Sequence, residues 1–318
     1  MGADVAAKPQ LVMVNLLDPL EPVEVGQLDT SSTSVGLVIV DVVLEGSYAY
    51  LSLAGPGGGL WVVDISEPSS PKHSGFLPIE RSLLIDDLSV AYLAGATIND
   101  ASDADSITPG EPGLFVVDVS DPAQLTVNGS LAVSVFGRPT DVAVLVSVAY
   151  LVGPIGLRVI DVSDTTNPRE ITAMIDLDSP LVRFDDPYKG IAGFRAAESS
   201  MRGIAVQDGY AYVASGSKGL RVIDVSTPGS PREVSSIKIG SAEEVLALGI
   251  LVYVYDFSAP PQAENANGIR LIDVSQPDSP RLIGSLDVQT GGSAVVLGNY
   301  LYVVDRFRNI IVIPHVLN

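Results

Sequence analysis

Hydrophobic and polar residues along this chain form short apolar segments, and one phrase recurs five times in nearly the same wording. Each copy begins with a glycine, runs through apolar residues to an aspartate and ends in a proline-containing turn; the copies start at Gly59, Gly113, Gly156, Gly219 and Gly268. Two further apolar segments that include a tyrosine precede each copy, and a fourth segment follows it. Segments this short, rich in Val, Ile and Tyr and separated by GS, DG and GN turns, predict β-strands.

Four strands in each unit of about 40 to 60 residues predict the blades of an all-β propeller. A helical repeat would need uninterrupted runs of roughly 10 to 12 residues with a 3.6-residue period, which the turns exclude. The aspartate that ends the third strand is expected to accept backbone N–H groups in the turn, so its five copies indicate turn chemistry rather than five active sites. The single tryptophan, Trp61, occupies a third-strand position held elsewhere by Phe or Arg and is predicted to pack between blades.

Each end of the chain carries part of one more unit. Residues 11–30 match the third and fourth segments of the repeat, and residues 293–313 supply the first two. We therefore predict a single six-bladed domain over residues 1–318, built of four-stranded antiparallel blades, with the last blade closed by N- and C-terminal strands. The segment from Asn309 also resembles a third strand. We favour the N-terminal copy because its turn is intact, with Asn15 where the C-terminal copy has Pro314.

The phrase GLRVIDVS, with YAY ahead of it and PxxP behind it, resembles the LVIVD repeat family of bacterial and archaeal β-propeller proteins. The resemblance extends over residues 11–313 almost without a gap. It implies a propeller that is commonly secreted or attached to the cell surface, in a family whose members mostly have no assigned activity, so it supplies no catalytic residues. We expect an extracellular or cell-surface location. The first ten residues lack the basic and apolar regions of a signal peptide, which fits either a cytoplasmic protein or a sequence without its leader.

Composition narrows the classes of function. The chain has 38 acidic and 18 basic residues and a formal net charge of −20, which opposes nucleic-acid binding. The longest uncharged stretch, 16 residues from Val142, coincides with predicted strands, so we expect no membrane insertion. The absence of cysteine excludes disulfides, thiolate catalysis and cysteine-ligated zinc. The two histidines, His73 and His315, lie away from the expected loop-bearing face, which disfavours a Ser-His-Asp triad or a histidine-rich zinc site.

Three long insertions are predicted to emerge on one face of the propeller. In a four-stranded blade, the loops between strands two and three share a side with the loops that lead to the next blade. The insertions at 97–112, at 176–203 and from Asp256 all belong to these two classes, whereas the opposite hairpins are short. We therefore expect ligands to bind at the long-loop face. The alternative is that loops simply tolerate insertion.

The longest insertion places basic and aromatic residues close together in an otherwise acidic chain. This contrast suits a carboxylate, a sugar acid or an acidic peptide, with aromatic faces for stacking. The candidate ligand-binding residues are Arg183, Phe184, Tyr188, Lys189, Arg195, Arg202 and, in the fifth-blade insertion, Phe257. Ordinary loop salt bridges with Asp185, Asp186 and Glu198 are the alternative.

Three acids provide a second hypothesis. Asp41, Asp141 and Glu244 each stand nine residues before a repeat tyrosine, near the expected mouth of the central channel. Acids that lie close together raise one another's pKa or recruit a cation. These three are therefore candidate metal ligands, with calcium as the cation, and solvated rim acids are the alternative. The acidic segment 99–106 also offers calcium ligands, but its spacing does not match the EF-hand loop.

The sequence thus predicts a non-catalytic scaffold that binds a protein or carbohydrate partner through the long-loop face and requires no cofactor. The alternative is a propeller enzyme of the hydrolase, lactonase or cyclase type that uses the channel-mouth carboxylates, with or without a divalent cation. Fold analogy alone supports that alternative. The oligomeric state is left open.

Overall fold

A computed structural model describes the chain over thirteen stretches. They are residues 10–15, 17–18, 23–29, 38–54, 58–87, 89–99, 108–133, 138–176, 201–257, 267–286, 290–297, 300–305 and 310–314. The regular secondary structure within these stretches is β-strand, and they contain no helix that could span a membrane. The chain divides into two compact units, which we call the first unit (Met1–Pro139 with Asp164–Pro168) and the second unit (Thr140–Ser163 with Arg169–Asn318). The single domain over residues 1–318 stays a prediction.

The first unit contains a two-stranded sheet and two four-stranded sheets. Its strands are β1 (Gln10–Asn15), β2 (Val23–Asp29), β3 (Val38–Glu45), β4 (Tyr48–Ala54), β5 (Gly59–Asp64), β6 (Lys72–Leu77), β7 (Ile79–Asp87), β8 (Val90–Asn99), β9 (Thr108–Asp118) and β10 (Thr126–Ala132). Strands β3 to β6 form blade one and β7 to β10 form blade two.

The second unit contains three four-stranded sheets and one three-stranded sheet. Its strands are β11 (Asp141–Leu145), β12 (Val148–Gly153), β13 (Gly156–Asp161), β14 (Arg169–Ile175), β15 (Gly203–Gln207), β16 (Tyr210–Ala214), β17 (Leu220–Asp224), β18 (Arg232–Ile237), β19 (Ala242–Leu248), β20 (Leu251–Phe257), β21 (Asn267–Asp273), β22 (Arg281–Leu286), β23 (Thr290–Leu297), β24 (Tyr300–Asp305) and β25 (Ile310–Pro314). Blades three, four and five are β11 to β14, β15 to β18 and β19 to β22.

The described strands form five four-stranded antiparallel blades rather than the six that the sequence predicts. Strands β23, β24 and β25 form a three-stranded sheet in which Ile311 lies opposite Val303 of β24. Strand β25 thus takes the third-strand place that we assigned to the N-terminal copy. Among the described strands, β1 is hydrogen-bonded to β2 alone. The prediction that residues 11–30 complete the blade begun at 293–313 is therefore wrong for these strands.

Chain connectivity explains this difference. Strand β25 follows β24 after a short connection, and closing a short loop costs less conformational entropy than recruiting a strand from the opposite end of the chain. The segment from Ile310 to Ile313 is also a run of β-branched residues, which favours a strand. The N-terminal turn is indeed intact, because the N–H of Leu17 donates to Oδ1 of Asn15 at 2.8 Å. An intact turn does not decide which segment pairs with β24.

The hydrophobic core lies between the faces of successive sheets within each unit. In the first unit Tyr50 of blade one packs in one cluster with Leu93 of blade two. In the second unit Tyr212 of blade four packs in one cluster with Val254 of blade five. All four side chains are buried. Burying one such apolar side chain stabilises the fold by roughly 1.5 to 3 kcal/mol.

A β-bulge recurs where the third strand pairs with the fourth. It sets small residues on the fourth strands of all six repeats, namely Gly26, Gly75, Gly129, Thr172, Ser235 and Gly284. The turn of the next repeat approaches this position closely, so that a Cβ atom at Gly75 would collide with the carbonyl oxygen of Pro122. In the second unit the Oγ of Ser235 donates to the carbonyl of Pro277 at 2.5 Å. The bulge therefore couples one blade to the next.

The predicted insertion at 97–112 is shorter in the structure. Strands β8 and β9 continue their ladder as far as Asn99, which lies opposite Thr108. The segment between them is therefore 100–107, and it lies outside the described residues. The calcium hypothesis for the acidic segment 99–106 consequently stays a prediction.

Candidate functional site

The repeated aspartates hold turns together. In each copy of the phrase, the N–H of the serine two positions further along donates to the aspartate Oδ1, at 2.8 Å for Asp64 and 2.9 Å for Asp118. The serine hydroxyl is the largest cause that lowers the pKa of these carboxyls, and the serine N–H is the second. In Asp273 these bonds and the Arg281 guanidinium lower the pKa to about 2. The structure confirms the predicted turn role of the five aspartates.

Most of the predicted ligand-binding residues lie outside the described residues. These are Arg183, Phe184, Tyr188, Lys189 and Arg195. Arg202 is described, and its guanidinium forms an ion pair with Glu243. The backbone of Phe257 is described and pairs with Asn267 at the end of blade five. The described residues nevertheless define where the two insertions of the second unit leave and rejoin the sheets.

The longest insertion leaves blade three at Asp176, which is 5% exposed. Its carboxylate accepts hydrogen bonds from Nζ of Lys218 at 2.8 and 2.9 Å and from Nη1 of Arg221 at 3.0 Å. The backbone N–H of Asp176 donates to the carbonyl of Ile155 at 2.7 Å. The buried Arg221 also binds Glu233 at 2.5 Å. The start of the insertion is thus fixed by both charge and backbone contacts.

The same insertion rejoins blade four at Met201, which is buried. The hydroxyl of Thr140 donates to the carbonyl of Met201 at 2.9 Å, and the N–H of Arg202 donates to the carbonyl of Ala214 at 2.8 Å. The end of the insertion is therefore as firmly anchored as its start. Of the range 176–203 predicted as a loop, the segment outside the described residues is 177–200.

The fifth-blade insertion begins beside a second buried aspartate. Asp256 is 3% exposed, and its carboxylate accepts the N–H of Ser241 at 2.8 Å and Nε of Arg270 at 3.3 Å. Both insertions of the second unit thus leave the sheets at a buried aspartate that is paired with an arginine of a third strand. Charged pairs of this kind are strongly held only when their hydrogen bonds are satisfied, as they are here.

The three predicted metal ligands lie on first strands, as expected. Asp41 belongs to the first unit, and its Oδ1 accepts the N–H of Val42 at 2.8 Å. Asp141 of the second unit accepts the N–H of Val142 and that of Ile204 on the next blade, both at 2.8 Å. Asp141 therefore joins two inner strands.

The metal hypothesis for these acids is not decided by their hydrogen bonds. The side chain of Glu244 is exposed. Among the described residues, no group of three or more His, Asp or Glu side chains is arranged to hold a metal ion. Calcium binding by Asp41, Asp141 and Glu244 stays a prediction.

Sequence reasoning missed Asp176, Lys218 and Arg221. One signal for them was present, because the third-strand position of Trp61 is occupied by arginine in blades three, four and five, at Arg158, Arg221 and Arg270. An arginine that replaces a packed aromatic residue must have a carboxylate partner, since a buried charge is costly unless it is paired. Trp61 itself is buried as predicted, with its ring 4.7 Å from that of His73.

Comparison with known families matches the repeat directly. The family model for the LVIVD repeat matches residues 38–76, 108–133, 137–175, 200–238, 239–288 and 291–313, which is more than half of the chain. The chain belongs to the LVIVD repeat family. The last of these matches spans β23 to β25, so the family pattern includes the C-terminal third strand of this LVIVD-repeat chain. No curated protein matches the sequence.

Solved structures share the fold of this LVIVD-repeat chain. A protein from Lactobacillus plantarum matches with a TM-score of 0.62 and 12% identity over 94% of this chain and 89% of that chain. A functionally unknown protein from Desulfotomaculum acetoxidans matches with a TM-score of 0.56 and 10% identity over 92% and 88%. A hypothetical selenium-binding protein from Sulfolobus tokodaii matches with a TM-score of 0.58 and 12% identity over 86% and 72%. The chain is an all-β propeller of four-stranded antiparallel blades, and identities this low concern the fold alone.

Proposed function

We propose that this chain is a non-catalytic scaffold that binds a protein or carbohydrate partner, at a cell surface or outside the cell. The binding surface is the edge of the second unit from which the insertions 177–200 and 258–266 leave the sheets. The observation that carries the proposal is the base of the longer insertion, where buried Asp176 holds Lys218 and Arg221. A loop on a rigid base loses less conformational entropy when it binds, so more of its contact energy appears as affinity.

The chemistry of the insertion supports a carboxylate-bearing partner. Arg183, Lys189 and Arg195 lie in a chain whose net charge is −20, and Phe184 and Tyr188 are interspersed among them. Guanidinium groups bind carboxylates with two parallel hydrogen bonds, and aromatic rings stack on sugar or side-chain faces. Arg and Tyr are also the residues that most often dominate binding energy at interfaces.

The contacts of the inner-strand acids fit this proposal better than the enzyme alternative. Both carboxylate oxygens of Asp141 accept backbone N–H groups, one of them from Ile204 on the neighbouring blade. A carboxylate used in this way stabilises the packing of two blades. A hydrolase, lactonase or cyclase would instead use Asp41, Asp141 and Glu244 on a cation or a substrate.

Two measurements separate these functions. First, the purified chain is dialysed and its calcium content measured by mass spectrometry; a scaffold retains no stoichiometric calcium, whereas one tightly held ion per chain would favour the enzyme. Second, the wild type and the Arg183→Ala/Tyr188→Ala/Arg195→Ala variant are applied to arrays of glycans and acidic peptides. The scaffold predicts wild-type signals that the triple variant lacks. Signals retained by that variant and lost by Asp41→Asn/Glu244→Gln would refute the proposal.

A further inference from the structure

The two insertions of the second unit are joined at their bases by a short segment, Ser241 to Glu243, at the start of blade five. Glu243 binds Arg202, which ends the longer insertion. Ser241 donates its N–H to Asp256, which precedes the shorter insertion, at 2.8 Å. The Oγ of Ser241 also donates to Oε1 of Glu243 at 3.1 Å, so the two contacts are linked through side chains as well as through the backbone.

The middle residue of this segment reaches the third anchor. Ala242 forms a two-way bridge with Gly216, in which the N–H of each residue donates to the carbonyl of the other at 2.8 and 2.9 Å. Gly216 lies in the tight turn that carries Lys218, and Lys218 holds Asp176 at the start of the longer insertion. Three consecutive residues thus contact all three anchors.

Burial makes these links energetically significant. The side chains of Asp256 and Arg270 are 4% and 10% exposed, and those of Arg202 and Glu243 are 22% and 23% exposed. Hydrogen bonds and ion pairs that are shielded from water in this way are screened less by salt than surface pairs are. Residues within one such network show coupling energies well above those of distant surface sites.

We infer that the two insertions work as one composite interaction surface, coupled through Ser241, Ala242 and Glu243, and that this surface takes a partner with several carboxylate groups. This inference rests on the proposed function and deepens it. Binding at one insertion is transmitted to the other because both are attached to the same three residues. Glu243 acts as a positioning residue, since it contacts Arg202 and Ser241 rather than the partner.

Hydrogen exchange measured on the full chain tests the coupling without any ligand. The variants are Arg202→Met, which removes one anchor, and Arg281→Met, which removes a comparable ion pair with Asp273 at the opposite end of blade five. Coupling predicts that Arg202→Met speeds exchange roughly tenfold at the amide of Ser241 and in residues 252–257. Arg281→Met leaves both unchanged. Exchange in β12 must stay as in the wild type, which excludes global unfolding as the cause; if it rises, the milder Glu243→Gln variant takes the place of Arg202→Met.

Acceleration confined to residues adjoining the substituted side chain would overturn the coupling. The partner chemistry is tested separately, by calorimetric titration of the wild type with poly-L-glutamate and with oligogalacturonate, one a peptide and the other a carbohydrate. Binding of either polymer, weakened in Glu243→Gln, supports the composite surface and identifies the source of the carboxylates. If neither polymer binds while exchange is coupled, the carboxylate chemistry of the partner is wrong and the coupling stands.

Discussion

The carboxylate of Asp176 binds the side chains of both Lys218 and Arg221, which lie 42 and 45 positions further along the chain. Asp176 ends blade three, whereas Lys218 and Arg221 belong to blade four. A single buried carboxylate therefore fixes the base of the longest insertion and joins two blades of the second unit.

Replacing Asp176 by alanine is expected to destabilise the chain strongly. Arg221 would stay buried with Glu233 as its printed carboxylate neighbour, and removing one partner of a buried ion pair costs about 3 kcal/mol. Unfolding in urea followed by circular dichroism measures this loss. The control is Arg232→Ala, whose 3.6 Å contact with Asp224 involves a side chain that is 71% exposed. It should cost less than about 1 kcal/mol. Equal losses in the two variants would contradict the role of Asp176.

The turn aspartates predict a loss of stability in acid. The folded-state pKa of Asp273 is lowered from 3.8 to about 2, so its hydrogen bonds to Ser275 and Arg281 contribute stability above pH 3.8. This contribution is lost as the pH falls towards 2. In Asp273→Asn the side-chain oxygen can still accept the turn N–H, as Asn15 does, but it does not titrate. Melting temperature measured from pH 5 to pH 2 should therefore fall less steeply in the variant than in the wild type. Parallel curves would count against this assignment.

The bulge on the fourth strands predicts a sharp contrast between two glycines. Gly75→Ala places a methyl group against the carbonyl oxygen of Pro122, and a core contact of this kind costs typically 1 to 3 kcal/mol, or about that range here. Gly229 lies in a turn where the nearest atom to an added Cβ is 3.9 Å away, so Gly229→Ala should be close to neutral. The comparison uses the free energies of unfolding of the two variants. A neutral Gly75→Ala would show that blades do not meet at this position.

The turns and strands of the repeat could be predicted because their chemistry is local. The aspartate, serine and proline of each phrase lie within a few residues of one another, and the structure shows the predicted N–H contacts, for example from Ser66 to Asp64. The anchors of the insertions could not be predicted in this way. Asp176 and Arg221 meet only when two blades pack together, and nothing local in the sequence pairs them.

The terminal strands show a second limit of local reasoning. Both the segment around Val12 and that around Ile311 have the pattern of a third strand, and pattern alone cannot rank them. The choice depends on the entropy of chain closure, which favours β25. For the same reason the length of β8 was underestimated, since the residues up to Asn99 look like a polar loop and are nevertheless paired.

The pairing of β24 can be tested by engineered disulfides, because the natural chain has no cysteine. Val303→Cys combined with Ile311→Cys places two thiols on directly opposed residues and should give nearly complete cross-linking on mild oxidation. The control combines Val303→Cys with Val12→Cys, which occupies the corresponding position of the N-terminal segment. Thiol titration and peptide mapping measure both. Preferential cross-linking to position 12 would restore the N-terminal segment to this ladder.

The proposal that this chain binds partners through the insertions of its second unit is tested most directly by one titration. The strongest array ligand is titrated calorimetrically into the wild type, into Arg183→Ala/Tyr188→Ala/Arg195→Ala, and into a control, Arg232→Ala/Arg281→Ala, which removes two exposed arginines from turns at the other edge of the blades. We predict that the insertion variant binds roughly 30-fold more weakly or worse, as expected for loss of interface Arg and Tyr side chains. The control should bind as the wild type does. Undiminished affinity in the insertion variant would contradict the proposal.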